Sequence, residues 1–225
     1  MSWSPILLSL QLAFVTTLLL LLVGLPIAWW LSAARRPWKP VVESLVGLPL
    51  VLPPTVLGFY LLLAFSPNNA FGAWLDGWLG LQLVFSFPGL VVASVIYSLP
   101  FMVQPVQAGL EGLPGSLAEA ATLMGKSSWT IFRRVQLPAI RPALWTGVVL
   151  SFAHTIGEFG VVLMIGGNLP GKTRVASIAV YDEVEALNYA AANAYSLVLL
   201  GLTFLILLLV YGLRGRPFRL YPNAA

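Results

Sequence analysis

The chain has 225 residues, of which 59% are hydrophobic and 9% charged, with a formal net charge of +4. Soluble chains carry about 25% charged residues, so this composition cannot build a soluble surface and excludes an ordinary cytosolic enzyme or binding module. Cysteine is absent, which excludes disulfides, thiolate metal sites and cysteine nucleophiles.

A helix needs ~20 apolar residues to cross the ~30 Å hydrocarbon layer, and five stretches are long enough: residues 6–34, 41–65, 83–106, 143–165 and 190–213. The predicted fold is an all-α integral membrane protein with five transmembrane helices, a single domain over residues 1–225 whose first partner is the lipid bilayer. The first apolar run lacks a basic flank and is too long for a signal peptide, so no cleavage is expected. The basic residues mark topology. Arg35, Arg36 and Lys39 follow span one; Lys126, Arg133, Arg134 and Arg141 follow span three; Arg214, Arg216 and Arg219 follow span five; only Lys172 and Arg174 lie opposite. The positive-inside rule then puts the N-terminus outside and the C-terminus inside. A charge distribution of this kind points to a membrane and not to nucleic acid. Trp29, Trp30 and Trp38 near one end, and Trp74, Trp78, Tyr189 and Tyr195 near the other, fit interfacial belts.

Span one carries Pro26, which predicts a kink whose freed carbonyl neighbouring helices satisfy. Span two reads Leu48-Pro49-Leu50-Val51-Leu52-Pro53-Pro54-Thr55-Val56-Leu57-Gly58 at its centre. Its prolines remove amide donors, and unpaired carbonyls in hydrocarbon are costly, so a broken helix is expected beside protein or a water-filled path. A packing kink and a pathway element fit these residues equally. Residues 66–82, with Asn68, Asn69, Gly72, Asp76 and Gly80, have turn chemistry and predict an outer loop. Span three holds Ser94, Tyr97, Ser98 and Gln104, with Pro100 and Pro105 expected to bend its inner half. Hydroxyls here could line a path, but serine in a membrane helix more commonly bonds the preceding turn's carbonyl, and that is the expectation.

Residues 114–142 form a polar, basic island between apolar segments. Ser116 and Glu119 stand in the S-x-x-E relation of a capping box, predicting a short helix from Leu117. Gly125 supplies the positive φ at which that helix can stop. Ser127 or Ser128 can cap a second short helix through Arg134, and Pro138 is expected to end it. Two short angled helices where a membrane protein meets something soluble make a docking element. A DNA-reading helix pair would share the capping residues, but a recognition helix is not strung between membrane spans.

Span four contains His154 and Glu158, four apart and so on one helix face. Buried charge of this kind faces a bundle interior or water. A proton relay is one reading; pairing with each other or with backbone at a subunit interface is the other. A metal pair would need a further ligand and the chain has no second His, so no metal is expected. Gly166, Gly171, Lys172 and Thr173 satisfy the P-loop spacing, yet a P-loop needs a buried strand before it and cytosolic nucleotide, and the apolar run before this one reaches back to Ala143. Gly125-Lys126-Ser127 fails because the required earlier glycine is Ala120. No cofactor and no catalytic residue are expected. Residues 175–188 read as an amphipathic helix at the outer surface, either a landing site or a plain connector.

The order Glu119-Ala120-Ala121, then Gly125, then Val135-x-Leu137-Pro138 resembles the E-A-A-x3-G-x9-I-x-L-P loop of ABC importer permeases, with Val135 where Ile is usual. The resemblance covers essentially the whole chain. It implies that Glu119, Ala120, Ala121, Gly125, Leu137 and Pro138 belong to a loop that couples to an ATPase, so that hydrolysis occurs in partner subunits. The implied partners are a second copy of the chain, two cytoplasmic ATP-binding subunits and an external solute-binding protein, at the cytoplasmic membrane. Within that family the proline-rich second span, Gly157-Glu158-Phe159-Gly160, and Asn168-x-Pro170-Gly171-x-Thr173-Arg174 are similar to the molybdate and sulfate permeases. Molybdate is the implied substrate, with sulfate or tungstate as the alternative, and Pro53, Pro54, Thr55, Ser98, Gly157 and Glu158 are the pathway or gate candidates. Burying an anion in a dry interior costs about 20 kcal/mol per charge, so such a path must be wet. No Lys or Arg lies within a span, which suits passage more than capture. The competing class is a proton-coupled carrier that uses Glu158 and His154.

Overall fold

The computed structural model describes residues 2–34 and 36–213; Arg35, Arg214, Arg216 and Arg219, which enter the charge asymmetry above, lie outside the described residues. Among the described residues all regular structure is helical, with no strand, as expected where backbone amides must be satisfied within their own segment. The α-helices in order are α1 Ser4–Ala33, α2 Lys39–Val51, α3 Pro54–Phe65, α4 Ala70–Leu79, α5 Phe87–Glu111, α6 Gly115–Leu123, α7 Ser128–Ile131, α8 Leu137–Ala139, α9 Arg141–Gly157, α10 Gly160–Gly166, α11 Ala176–Glu185 and α12 Tyr189–Leu213, with a π-helical turn Phe132–Gln136 between α7 and α8.

Three helices, α1, α5 and α12, are each long and apolar enough to cross a membrane. The paired helices α2 and α3 meet at 112°, and α9 and α10 at 60°, so the number rises to five if each bent pair is one span. α1 runs through Pro26, and α5 through Pro100 and Pro105, without interruption. The predicted loop at 66–82 is instead largely helix. Its residues Phe71, Trp74 and Leu75 recur at helical spacing, Phe71 stacks near Trp74 with centroids 6.1 Å apart, and Gly80 at φ 62 stops the helix.

α5 lies at the centre, packed along α1 and α9, while α2 also rests on α5 and α3 rests on α10. Two larger apolar cores flank α5, and a smaller one gathers Ile6, Ala176, Ala179 and Tyr195. Of the larger two, one gathers Leu20, Ala28, Leu31, Met102, Val106 and Phe132 near the α5 C-terminus; the other gathers Leu12, Leu90, Val91, Val161, Ile165 and Ile178 near its N-terminus. Thr16, Thr17, Ser94, Ser98, Ser151 and Thr155 are buried polar residues on the helices that join them, and Glu158 is buried just past the end of α9. Around the outside, Leu7, Phe14, Leu22, Leu200, Phe204 and Leu208 are exposed on α1 and α12, the pattern of helices whose second solvent is lipid. Tyr195 is not part of an exposed belt: it is buried with Ile6, Ala176 and Ala179, and its hydroxyl accepts the Ser2 amide at 2.8 Å. Trp74, Trp78 and Tyr189 are exposed.

At the end of the bundle near the α5 C-terminus, α2 is tied to α5 by polar contacts. Lys39 Nζ lies 2.9 Å from Glu111 Oε1 and 3.6 Å from Glu43 Oε1. Gln107 Nε2 donates to Glu43 at 2.6 Å and to Glu111 at 3.0 Å.

Candidate functional site

The loop between α5 and α9 leaves the bundle at Pro114. That residue precedes the first turn with ψ 128, and its carbonyl accepts the Leu117 amide at 3.1 Å. α6 therefore starts at Gly115, earlier than the capping box predicts. Ser116 is drawn inside the first turn and makes no capping bond, because a proline with fixed φ and no N–H already suits the helix entrance. The far end follows expectation. Gly125 has φ 71, and the Lys126 amide reaches back to the Ala121 carbonyl at 3.2 Å, the pairing by which a left-handed residue closes a helix. Just before it, Leu123 is 90% and Met124 73% exposed, an apolar knob beyond the packed bundle that the sequence reading passed over. An apolar pair directly before a helix-stopping glycine was its signal.

Ser127 caps α7, its Oγ accepting the Thr130 amide at 3.4 Å. Pro138 does not end the second helix. The chain widens into the π turn, where the Leu137 amide reaches the Phe132 carbonyl, and continues through α8 to α9. The wider turn gives the proline ring the room that a regular α-turn denies it. Along this segment Arg133 and Arg134 are exposed while Ile131 and Phe132 are buried. Phe132 stacks on Trp29 of α1 with centroids 4.6 Å apart, and Trp129 meets Trp29 edge-on at 6.0 Å. The loop is thus seated on α1 as well as joined to α5 and α9. Of the residues predicted for it, Glu119 and Ala120 are exposed and Ala121 and Leu137 half-buried; it is seated by Phe132, which the sequence does not single out, and by Trp29, which reads there as part of an interfacial belt.

A second polar group lies at the break between α9 and α10. The predicted continuous span stops at Gly157: Glu158 is extended at φ −65 and ψ 132, and Phe159 has φ −128 and ψ −62. Four-residue spacing therefore does not put His154 and Glu158 on one face. His154 instead bonds Ser98 Oγ through Nδ1 at 2.9 Å and stacks on Phe101 at 4.0 Å. Ser98 also meets Thr155 Oγ1 at 3.1 Å, so its hydroxyl joins two helices where a bond to its own preceding turn was expected. Glu158 is 4% exposed, with Ser94 and Tyr97 of α5 as its polar neighbours. Its backbone carbonyl accepts Ser177 Oγ at 2.5 Å.

The break between α2 and α3 nests against this one. Leu52 and Pro53 are extended, and α3 restarts at Pro54. A Cβ on Gly160 would stand 2.8 Å from Pro54 Cβ and 3.3 Å from Thr55 N; one on Gly58 would stand 2.7 Å from Met164 Cβ. Glycine at both positions lets α3 and α10 approach closely. The geometry thereby brings Pro54 and Thr55 beside the Gly157 to Gly160 segment, and places Ser98 against the end of α9.

The P-loop look-alike follows a helix, α10. The amides of Lys172, Thr173 and Arg174 all turn inward onto the Leu169 carbonyl at 3.0–3.1 Å, and buried Thr173 Oγ1 donates to the Gly166 carbonyl at 2.7 Å. A phosphate cradle needs such groups facing outward. Arg174 Nε donates to Asn168 Oδ1 at 2.6 Å and lies 3.3 Å from Asp182 Oδ2, while Asn168 Nδ2 donates to both Asp182 oxygens. The segment is a brace that holds α11.

Residues 21–216 match the family described as binding-protein-dependent transport system inner membrane component. The chain belongs to this family. The chain is similar to the molybdenum transport system permease protein ModB of Azotobacter vinelandii, 50% identical with 92% of each chain covered. The sulfate transport system permease protein CysT of Escherichia coli strain K12 is 37% identical over 91% of this chain and 73% of its own. The fold matches that of the MetNI methionine ABC transporter in inward-facing conformations, with TM-score 0.73 and 19% identity over 93% and 92% of the two chains. It also matches a bacterial alginate ABC transporter solved with an alginate-bound periplasmic protein, with TM-score 0.72 and 17% identity over 93% and 78%. Family membership with several apolar helices makes this a multi-pass membrane protein.

Proposed function

We propose that the chain is the membrane permease subunit of an ATP-driven importer of molybdate. The observation that carries this is the 50% identity over 92% of both chains to a molybdenum permease. The 37% identity to a sulfate permease favours sulfate as the second reading, since both ligands are tetrahedral dianions. On this reading the chain is one domain in the cytoplasmic (inner) membrane and pairs with a second copy. Each bent helix pair is one span, giving five, with the N-terminus outside and the α6 to α8 loop inside. Two ATPase subunits receive that loop. Its packed seat on α1 and the exposed Leu123 and Met124 knob support a contact surface with Glu119, Ala120, Ala121, Gly125, Leu137 and Pro138 as its frame. An external binding protein delivers the anion to the α11 end, and ATP hydrolysis belongs to the partner subunits. Pro53, Pro54, Thr55, Ser98, Gly157 and Glu158 are the path or gate residues, a role supported by the nesting of the two breaks.

The test is the complex reconstituted with its ATPase and binding-protein partners. ATP hydrolysis is expected to rise with molybdate-loaded binding protein more than with the sulfate-loaded form, and uptake is expected to require the ATPase. Uptake that persists without ATPase and collapses with the proton gradient would overturn the reading in favour of a secondary carrier. Orientation is checked separately. Cysteines placed at Ser66 and Asn188 are expected to react with an impermeant thiol reagent in intact cells, and one at Ser128 to stay silent.

A further inference from the structure

The break between α9 and α10 is held from one side by two side chains of α11. Ser177 Oγ donates to the Glu158 carbonyl, and the Tyr181 ring packs on the Phe159 ring with centroids 5.2 Å apart. These partners are the two residues that leave helical geometry at the break. Ser177 and Tyr181 are four apart on α11 and so share one face. A helix end without its capping bond leaves carbonyls unpaired, and at this break the capping hydroxyl is supplied by a different helix.

α11 is itself fixed at several points. Its Ala176 amide donates to Ser9 Oγ of α1 at 2.8 Å, and Asp182 is held by Asn168 and Arg174 of the brace. A displacement of α11 therefore cannot be absorbed freely by its flanking loop. Beside the clasp lies a groove of about 510 Å³ lined by Phe159, Ser177, Val180, Tyr181, Ser196 and Leu199. Tyr181, 45% exposed, borders that open space.

We infer that Ser177 and Tyr181 are positioning residues that link the α11 end of the permease to the bend of the α9–α10 span, so that load on α11 resets the Glu158 to Phe159 turn. This rests on the importer reading, in which α11 lies on the side that meets the binding protein. A link of this kind acts by favouring one of two arrangements of the turn and carries coupling without touching the substrate.

The experiment uses the assembled transporter with Ser177→Ala, Tyr181→Ala and the double variant, and Ser177→Thr and Tyr181→Phe as conservative controls. Subunit retention and basal ATP hydrolysis are expected to stay at wild-type level. Stimulation by oxyanion-loaded binding protein is expected to fall at least about fivefold in the double variant, the lower range of allosteric couplings, and to be preserved by Thr and Phe. A second readout needs no ligand. Spin labels on cysteines introduced at exposed Trp145 of α9 and Glu185 of α11 are expected to give one narrow distance distribution in the otherwise unaltered chain and a broad one in the double variant. An unchanged narrow distribution, or full stimulation in the double variant, overturns the link. If no loaded binding protein stimulates even the wild type while the distribution broadens, the clasp stands as geometry, and the claim that it carries the transport signal falls with the importer reading.

Discussion

The turn between α2 and α3 and the turn between α9 and α10 both interrupt an apolar stretch, yet only the first is written in consecutive prolines, which disfavour a helix on their own. Pro53 and Pro54 have no amide to give, and Pro54 disfavours the α region at the residue before it, so the interruption is favoured locally at the point where the chain bends by 112°. At the second break neither Glu158 nor Phe159 forbids a helix. The 60° bend exists because Gly160 admits Pro54, because Ser177 takes the Glu158 carbonyl and because His154 is drawn to Ser98. A break made by covalent chemistry is fixed, whereas one made by contacts can be reset when the contacts change. A transporter that must close one side before it opens the other needs the second kind, with the first as its anvil.

The largest effect is expected where the two breaks touch. Gly160→Val puts a branched side chain where even a Cβ meets Pro54 at 2.8 Å. Overpacking costs about 1–3 kcal/mol, so a clear fall in the thermal midpoint of the detergent-solubilised protein and loss of uptake should follow. A stable, active Gly160→Val would mean that the breaks do not lean on each other. Next, Gly125→Val tests a bend outside the apolar bundle. No atom lies within 4 Å of a Cβ there, so the penalty is backbone alone, about 1–2 kcal/mol for a left-handed residue. ATPase partners should dissociate or hydrolyse without uptake, while Gly125→Asn, which tolerates positive φ, keeps both. Equal failure of Asn and Val would show that the side chain itself is excluded by a partner. Smaller still is the double change Pro53→Ala with Pro54→Ala, which restores two donors. Stability should shift by only about 1 kcal/mol, while the distance between labels at exposed Leu45 and Leu63 widens. A distance held at its wild-type value would show that packing on α10, and not proline, sets the first bend.

The helical membrane fold was legible because composition and hydropathy act on the whole chain at once, and the first break because proline chemistry is local. The second break was not, since Ser177 and Pro54 lie far from Glu158 in sequence and nothing in Gly-Glu-Phe-Gly alone forbids a helix. Ser116 has a different, local reason: the motif for a capping box is present, but Pro114 two residues earlier already serves as the helix entrance. Pro138 was misjudged because the expectation allowed only a regular α-turn before it, and a π turn relieves the clash. The seat of the loop on Trp29 was hidden because an aromatic near a membrane edge reads as an interfacial belt until its partner, Phe132, is known. In contrast, the helix stop at Gly125 and the apolar helix in place of a strand before Gly166 rested on backbone need and on context, and those survive into three dimensions.

The smallest expected effect is also the one that separates two glycines in the same tetrapeptide. Gly157 is exposed, a Cβ on it meets nothing within 4 Å, and its φ is not positive. Gly157→Ala therefore has no steric or backbone cost, and the added helix propensity at the end of α9 contributes at most about 0.5–1 kcal/mol. Thermal stability should match or slightly exceed wild type, in contrast to Gly160→Val, and uptake should stay within a few-fold. The informative failure is specific. If stability holds but uptake collapses, the space beside Gly157 is needed by something that passes or moves there, and the second break would be part of the path itself and not only its hinge. If stability collapses as well, the open space at Gly157 is filled in the assembled protein, and a second copy of the chain on that face is the neighbour to test by cross-linking at position 157.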